Sequence, residues 1–182
     1  MTVTYQAHFI NFRTMKKLFV VRHAKSSWDF PDLDDFSRPL NKRGKKNAPE
    51  MGKRMAKQGI KPDAIISSSA KRALSTARRI ATELGFPRNR IVKEDQFYHG
   101  SNQDVIEIIQ HVNDNINTLM IFGHNPGLTD LVNYLSDANI SNIPTCGVAE
   151  IDFDIMTWKL LGAKKGRLAK FDFPKKVSAG QA

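Results

Sequence analysis

Cysteine is nearly absent: Cys146 stands alone among 182 residues. An intramolecular disulfide and a cysteine-rich zinc site are thereby excluded. A lone cysteine can still be a nucleophile, but Pro144-Thr145-Cys146-Gly147 opens an apolar run and offers no base. Cys146 therefore reads as a buried residue at a strand end. Long hydrophobic runs are missing too; none approaches the roughly 20 residues that a membrane-spanning helix requires. Residues 1–14 lack the apolar stretch of a secretory signal. A cytoplasmic location with no membrane partner is the expectation. Repeats, low-complexity tracts and Pro/Gly/Ser-rich linkers are lacking, and the length fits one globular domain. Acidic residues are few, 18 Asp and Glu against 28 Lys and Arg, giving a formal charge of +10. Such a balance attracts anions. The densest basic stretch, Lys159 to Lys176, contains one acid, Asp172. It has neither the aromatic interleaving nor the finger spacing of a nucleic-acid module, so it reads as a solvated face. No nucleic-acid partner is expected.

What is present is an alternation of short apolar runs and helical stripes. Leu18-Phe19-Val20-Val21, Ala64-Ile65-Ile66 and Leu119 to Phe122 read as buried strands. Ile91 to Lys93 reads as a shorter strand. Val148 to Phe153 and Trp158 to Leu161 read as two closing strands with a turn near Asp154. Asn41 is placed to cap a helix running to about Lys57, with a kink or restart at Pro49. Ala70 to Leu84 carries an apolar stripe and ends at Gly85. Gln103 to Val112 and Gly127 to Leu135 complete the helices. Met15 is a candidate start, which makes residues 1–14 an upstream extension and residues 15–182 a single domain with a basic C-terminal tail. The pattern predicts an α/β fold, a three-layer α/β/α sandwich around a mixed, mostly parallel sheet.

In such sheets ligands collect at the carboxyl ends of the strands. After the first strand stand Arg22 and His23; after the second, Ser67-Ser68-Ser69-Ala70-Lys71-Arg72; after the third, Gly123-His124-Asn125-Pro126. Two arginines and two histidines thus share one edge. A phosphoryl group carries roughly two negative charges at neutral pH. Arginine forks match its oxygens and stabilise the transferring group without a metal. A neutral imidazole can take phosphate as a covalent adduct. Neighbouring arginines disfavour imidazolium and help to keep it neutral. A backbone carbonyl on the other ring nitrogen would fix the tautomer, and a protonated second histidine would donate to a phosphate oxygen. Spacing alone does not say whether His23 or His124 attacks.

Leu18 to Ala24 resembles the strand and Arg-His-Gly signature of the histidine phosphatase superfamily, which includes the phosphoglycerate mutases. Ser68 to Ala77 is similar to its Ser-Pro-x-x-Arg-Ala-x-x-Thr-Ala motif, and Gly123-His124-Asn125-Pro126 to its last motif. Arg38 to Gly44 resembles the segment after the first motif. The matches follow family order from Leu18 to Phe153. Arg-His-Ala-Lys-Ser-Ser-Trp and Arg-Pro-Leu-Asn look like the compact SixA branch of phosphohistidine phosphatases. The resemblance implies that His23 is the phosphorylated nucleophile and that Arg22, Arg72 and His124 complete the phosphate pocket. It implies no cofactor and no metal. Lys25, Ser26, Ser27, Arg38 and Asn125 are candidate substrate contacts, with Arg38 alternatively an ion-pair partner of Asp34 or Asp35.

Two departures from the family pattern stand out. Ala24 replaces the usual glycine. The segment in which many members carry a proton-donating glutamate offers only Glu94 and Asp95 as candidates. A weak acid suits an imidazole leaving group, which can be protonated on its own ring, better than an alkoxide. The expected activity is therefore hydrolysis of a phosphomonoester or phosphoramidate, most of all phosphohistidine, on a protein or a small molecule. A mutase that returns phosphate to its substrate, and a noncatalytic module that binds phosphorylated ligands, are the alternatives. The run Asp29 to Asp35 lacks the glycine and terminal glutamate of a calcium loop and reads as an acidic lid near the pocket. Trp28 and Trp158 read as packing residues.

Overall fold

The computed structural model describes residues 15–175. The proposed extension, residues 1–14, and the end of the basic tail lie outside them. Strands β1 (Lys16–Arg22), β2 (Ala64–Ser68), β3 (Val92–Glu94), β4 (Thr118–Gly123), β5 (Val148–Phe153) and β6 (Gly166–Asp172) form one sheet ordered β3-β2-β4-β1-β5-β6. The first four are mutually parallel; β5 runs antiparallel to β1, and β6 antiparallel to β5. The helices are α1 (Lys42–Lys57), α2 (Lys71–Glu83), α3 (Gln96–His99), α4 (Asn102–Gln110) and α5 (Gly127–Leu135).

Strand periodicity builds the layers. Successive side chains of a strand face opposite sides of the sheet. Leu18, Val20, Leu119 and Ile121 pack with Ile106 and Ile109 of α4 and Leu131 and Leu135 of α5. Their neighbours Phe19, Val21, Met120 and Phe122 pack with Met51 and Met55 of α1 and Ala77 and Ile80 of α2. Two apolar cores, one on each face, account for the continuous hydrophobic runs in the central strands. The three-layer sandwich and the mixed, mostly parallel sheet are both present.

Local signals set the helix starts. The Asn41 side chain accepts from the Gly44 amide at 2.9 Å, capping α1. Ser101 and Asp104 form a capping box on α4. Gly44 meets a close approach: a Cβ there would lie 2.2 Å from the Lys25 carbonyl oxygen. Helix α1 thus docks directly on the chain that follows β1. Pro49 does not divide α1, which runs unbroken through it. Burial of Ala48, Met51 and Met55 on one face outweighs the backbone bond that proline deletes.

The C-terminal reading needs correction. Trp158–Leu160 is a turn of 3₁₀ helix, and the last strand, β6, lies within the basic tail. Trp158 is wholly buried and its indole donates to the Ile116 carbonyl at 2.8 Å, so the short apolar run anchors one ring instead of pairing in the sheet. Arg167 and Lys170 stand exposed on β6, an edge strand, where charge discourages pairing with another chain. Lys16 is also fully buried. Its ammonium donates to the carbonyls of Asp114 and Ile116 at 2.6 and 3.0 Å and to the Asn117 side chain at 2.9 Å. All three donors are satisfied, which makes the buried charge tolerable. Among the described residues no helix is long and apolar enough to cross a membrane.

Candidate active site

Sheet register brings the two histidines together. Arg22 at the end of β1 is paired with Gly123 at the end of β4, and the His23 amide donates to the Gly123 carbonyl at 3.0 Å. The next residues, His23 and His124, therefore leave neighbouring strands side by side, with ring centroids 5.0 Å apart. Strand β2 flanks β4, and the chain leaving it enters α2 with Arg72 buried in the first turn. Arg72 Nε points at His23 Nε2 across 3.4 Å. The Ser68 hydroxyl lies 3.0 Å from His124 Nε2.

The His23 ring is held from its other side. Its Nδ1–H donates to the Ala24 carbonyl at 2.8 Å, which leaves the Nε2 lone pair toward Arg72. Ala24 is itself fixed: its amide donates to Thr76 Oγ1 at 3.0 Å, and the Thr76 hydroxyl donates to the Arg72 carbonyl at 2.7 Å. One buried threonine thus ties the chain that follows β1 to the helix that carries the arginine. Ala24 is wholly buried, so the Cβ that replaces the usual glycine is accommodated in the core.

Burial, with Arg72 and Arg22 adding to it and the Ala24 bond opposing, lowers the His23 pKa to about 4. Burial, then His23 and Arg72, takes His124 down to about 3. Both rings are neutral near pH 7. Neutral His23 is competent as a nucleophile. The protonated second histidine considered from the sequence is therefore not the state of the free protein: little solvent and the cations of Arg72 and Arg22 disfavour its proton, and the positive charge at the rim belongs to the arginines. Burial also lowers the Arg22 pKa.

Three buried side-chain polar atoms lack a hydrogen-bond partner among the described residues: Arg22 Nε, His124 Nδ1 and Asn125 Oδ1. All belong to the first and last motifs. Buried polar groups are otherwise almost always paired, so a cluster of orphans at one rim marks a place for a polar ligand. Arg22 Nη1 donates to the Ile143 carbonyl at 2.7 Å and to Asn142 Oδ1 at 3.2 Å. Asn125 Nδ2 shares both acceptors, at 3.1 and 2.8 Å. A cleft of about 370 Å³ opens beside His124, lined among others by Tyr98, Asn102, Asn125 and Asp130.

The remaining candidates divide. Ser26 Oγ accepts from Arg38 Nη2 at 2.8 Å, the Ser27 carbonyl from Arg38 Nε at 3.0 Å, and Ser27 Oγ donates to Asp29 at 2.6 Å. Arg38 pairs with Asp35 at 2.7 Å, one of the two aspartates named for it. These side chains brace the loop. Lys25 uses its carbonyl to accept from the Asn41 amide at 3.0 Å. Glu94 ends β3 and Asp95 precedes α3. Neither is bonded to Arg22, His23, Arg72 or His124 among the described residues. Trp28 is 72% exposed and stacks on the Arg38 guanidinium, so it is no core packing residue, whereas Trp158 is. Cys146 is buried as expected, but in the turn before β5; burial pushes its thiol up to about 12, and its amide donates to the His23 carbonyl at 3.1 Å.

Sequence reasoning missed the carboxylate that does touch the clamp. Asp35 Oδ2 accepts from Arg72 Nη2 and from the Tyr98 hydroxyl, each at 2.8 Å, and its backbone carbonyl accepts from Arg72 Nη1. Tyr98 is carried by α3, a four-residue helix too short for periodicity to reveal. Against the opposing effect of burial, the Tyr98, Arg38 and Arg72 bonds hold the Asp35 carboxyl down to about 2. Ser68 and Thr76 were also missed as contacts, although both lie within the second motif.

The model of the histidine phosphatase superfamily (branch 1) matches residues 18–98. An uncharacterized chloroplastic protein of Arabidopsis thaliana is 30% identical over 159 residues, 83% of this chain and 72% of that protein. A solved protein from Agrobacterium tumefaciens, assigned as the phosphohistidine phosphatase SixA, superposes with a TM-score of 0.73 at 25% identity. The match covers 87% of this chain and 98% of that one. The protein histidine phosphatase SixA complexed with tungstate gives 0.74 at 18% identity, over 87% and 97% of the two chains. The chain belongs to the histidine phosphatase superfamily. Within it the fold is similar to that of SixA proteins.

Proposed function

We propose that this protein is a phosphatase that works through a phosphohistidine at His23 and prefers phosphohistidine as substrate. The observation that carries the reading is the tethered ring: Nδ1–H bonded to the Ala24 carbonyl, and Nε2 aimed at Arg72 beside a neutral second imidazole. The Nε2 lone pair attacks phosphorus, and the bond to the leaving atom breaks with its electron pair going to that atom. Arg72 and Arg22 stabilise the charge on the equatorial oxygens, and His124 donates through its single N–H. Water then attacks phosphorus, the bond to Nε2 breaks, and inorganic phosphate departs.

The preference for phosphohistidine rests on leaving-group chemistry. Among the described residues no protonated carboxyl is bonded to the clamp; the one carboxyl that is, Asp35, is ionised near neutral pH. Alkoxides leave badly without a donor, whereas an imidazole protonated on its own ring leaves as a neutral molecule. The likeness to SixA proteins in fold supports the same reading. Rapid acid and alkaline quench during turnover of a phosphohistidine peptide tests it. An acid-labile, alkali-stable phosphoenzyme is expected from the wild type and none from His23→Ala. Near-normal hydrolysis by His23→Ala refutes the assignment.

A further inference from the structure

We infer that Asp35 sets the specificity of this site, receiving the ring N–H of a protonated phosphoimidazole and so favouring P–N over P–O substrates. The inference rests on the phosphatase reading above and adds the group that recognises the leaving side.

Placement comes first. The Arg72 guanidinium has two usable edges. Its Nε faces His23, and its Nη atoms bind the Asp35 carbonyl and Oδ2. Asp35 therefore sits across the guanidinium from the nucleophile. From the other direction the Tyr98 hydroxyl donates to the same Oδ2, and Tyr98 also lines the cleft beside His124. The carboxylate thus touches the clamp through Arg72 and the lining of the cleft through Tyr98, without itself lining the cleft. Its side chain is 51% exposed, so it has an open side in spite of its partners. The cleft, at about 370 Å³, is large enough for a histidine side chain.

Charge comes second. An anion beside a phosphate pocket costs affinity for phosphate itself. It is useful if the substrate brings a cation. A phosphoimidazole protonated on its second nitrogen is such a substrate. Its N–H donates to Asp35 in a charge-assisted hydrogen bond. When His23 Nε2 bonds to phosphorus, the P–N bond of the substrate breaks and its electron pair returns to the ring. The ring leaves neutral, its N–H still on Asp35, and no further proton donor is needed. An ester oxygen has no such N–H and gains nothing from Asp35.

Asp32, in the same acidic run, has no bond to the clamp among the described residues, so it serves as the control. The test compares wild type, Asp35→Asn, Asp35→Glu and Asp32→Asn by kcat/KM on a phosphohistidine peptide and by the inhibition constant of inorganic phosphate. Asp35→Asn preserves side-chain volume and should lose roughly 10- to 100-fold on the peptide, the worth of one charged hydrogen bond. Phosphate should bind it as tightly as wild type or more so. Asp35→Glu should recover part of the loss and Asp32→Asn should show none. Weakening of phosphate binding in step with the peptide rate means that Asp35 acts only by holding Arg72, and overturns the inference. So do an unchanged peptide rate in Asp35→Asn and an equal loss in Asp32→Asn. If wild type does not hydrolyse the peptide at all, the phosphohistidine reading itself falls.

Discussion

Arg72 is the residue on which the rim converges. It faces His23 with one nitrogen, Asp35 with two others, and its own carbonyl receives the Thr76 hydroxyl. Removing a preorganised donor to developing charge typically costs two to three orders of magnitude in kcat. Arg72→Ala is expected to lose roughly 100- to 1,000-fold, measured as single-turnover phosphoryl transfer. The same cation also holds the His23 pKa down. The free-enzyme kcat/KM profile should therefore fall on the acid side as pH drops through about 4, where His23 gains a proton and loses its lone pair. In Arg72→Ala that acid limb should move to higher pH, because one charge opposing the imidazolium is gone. A limb that stays in place would separate the kinetic group from His23.

At this scale the sequence was informative where a motif names a residue and weak where geometry recruits one. Arg22, His23, Arg72 and His124 stood out because polar groups follow buried strands, and they do gather at one rim. Asp35 did not, since the run Asp29 to Asp35 reads in sequence only as an acidic lid near the pocket, with Asp35 a candidate partner of Arg38 and not of Arg72. Only the fold shows that this one, and not Asp29 or Asp32, reaches Arg72. Glu94 and Asp95 were proposed because of their place in the chain, yet β3 and α3 leave both outside the bonding shell of the clamp.

Among the elements, α2 does more than present an arginine. Its Thr76 hydroxyl stitches the chain after β1 to the first turn of the helix. Thr76→Val keeps the shape and deletes both bonds, leaving the Ala24 amide buried and unpaired. A loss of about 1–3 kcal/mol in unfolding free energy is expected from chemical denaturation. A loss in kcat beyond that accounted for by the folded fraction should accompany it, as the His23 ring loosens. Strong periodicity made α1, α2, α4 and α5 legible, because each covers one apolar core. The 3₁₀ turn at Trp158 and strand β6 were not legible. One depends on a single indole finding a carbonyl 42 residues away, the other on an edge position that tolerates exposed Arg167 and Lys170.

For the whole molecule, the two depressed histidines couple the site to stability. In the unfolded chain each titrates near 6.5; in the folded protein near 4 and 3. Between those values the unfolded state binds more protons, so stability is intact above about pH 6.5 and falls as pH drops toward 4. Each group contributes up to about 1.4 kcal/mol per pH unit over its window. Thermal unfolding from pH 7 to 4.5 should show this decline in wild type and a flatter one in His23→Ala. An equally steep decline in that variant would assign the protons elsewhere.

The pairing of Arg22 with Gly123 carries one more consequence. Side chains on a strand alternate faces, so a slip of one residue between β1 and β4 would turn one imidazole away from its partner and bury it in the opposite layer. The histidine pair is thus a readout of alignment at the centre of the sheet: a chain that collapses with these two strands out of step forms both hydrophobic layers badly and does not bring the two rings together. Misassembled molecules should be silent as enzymes and not merely sluggish, and specific activity then counts correctly built copies.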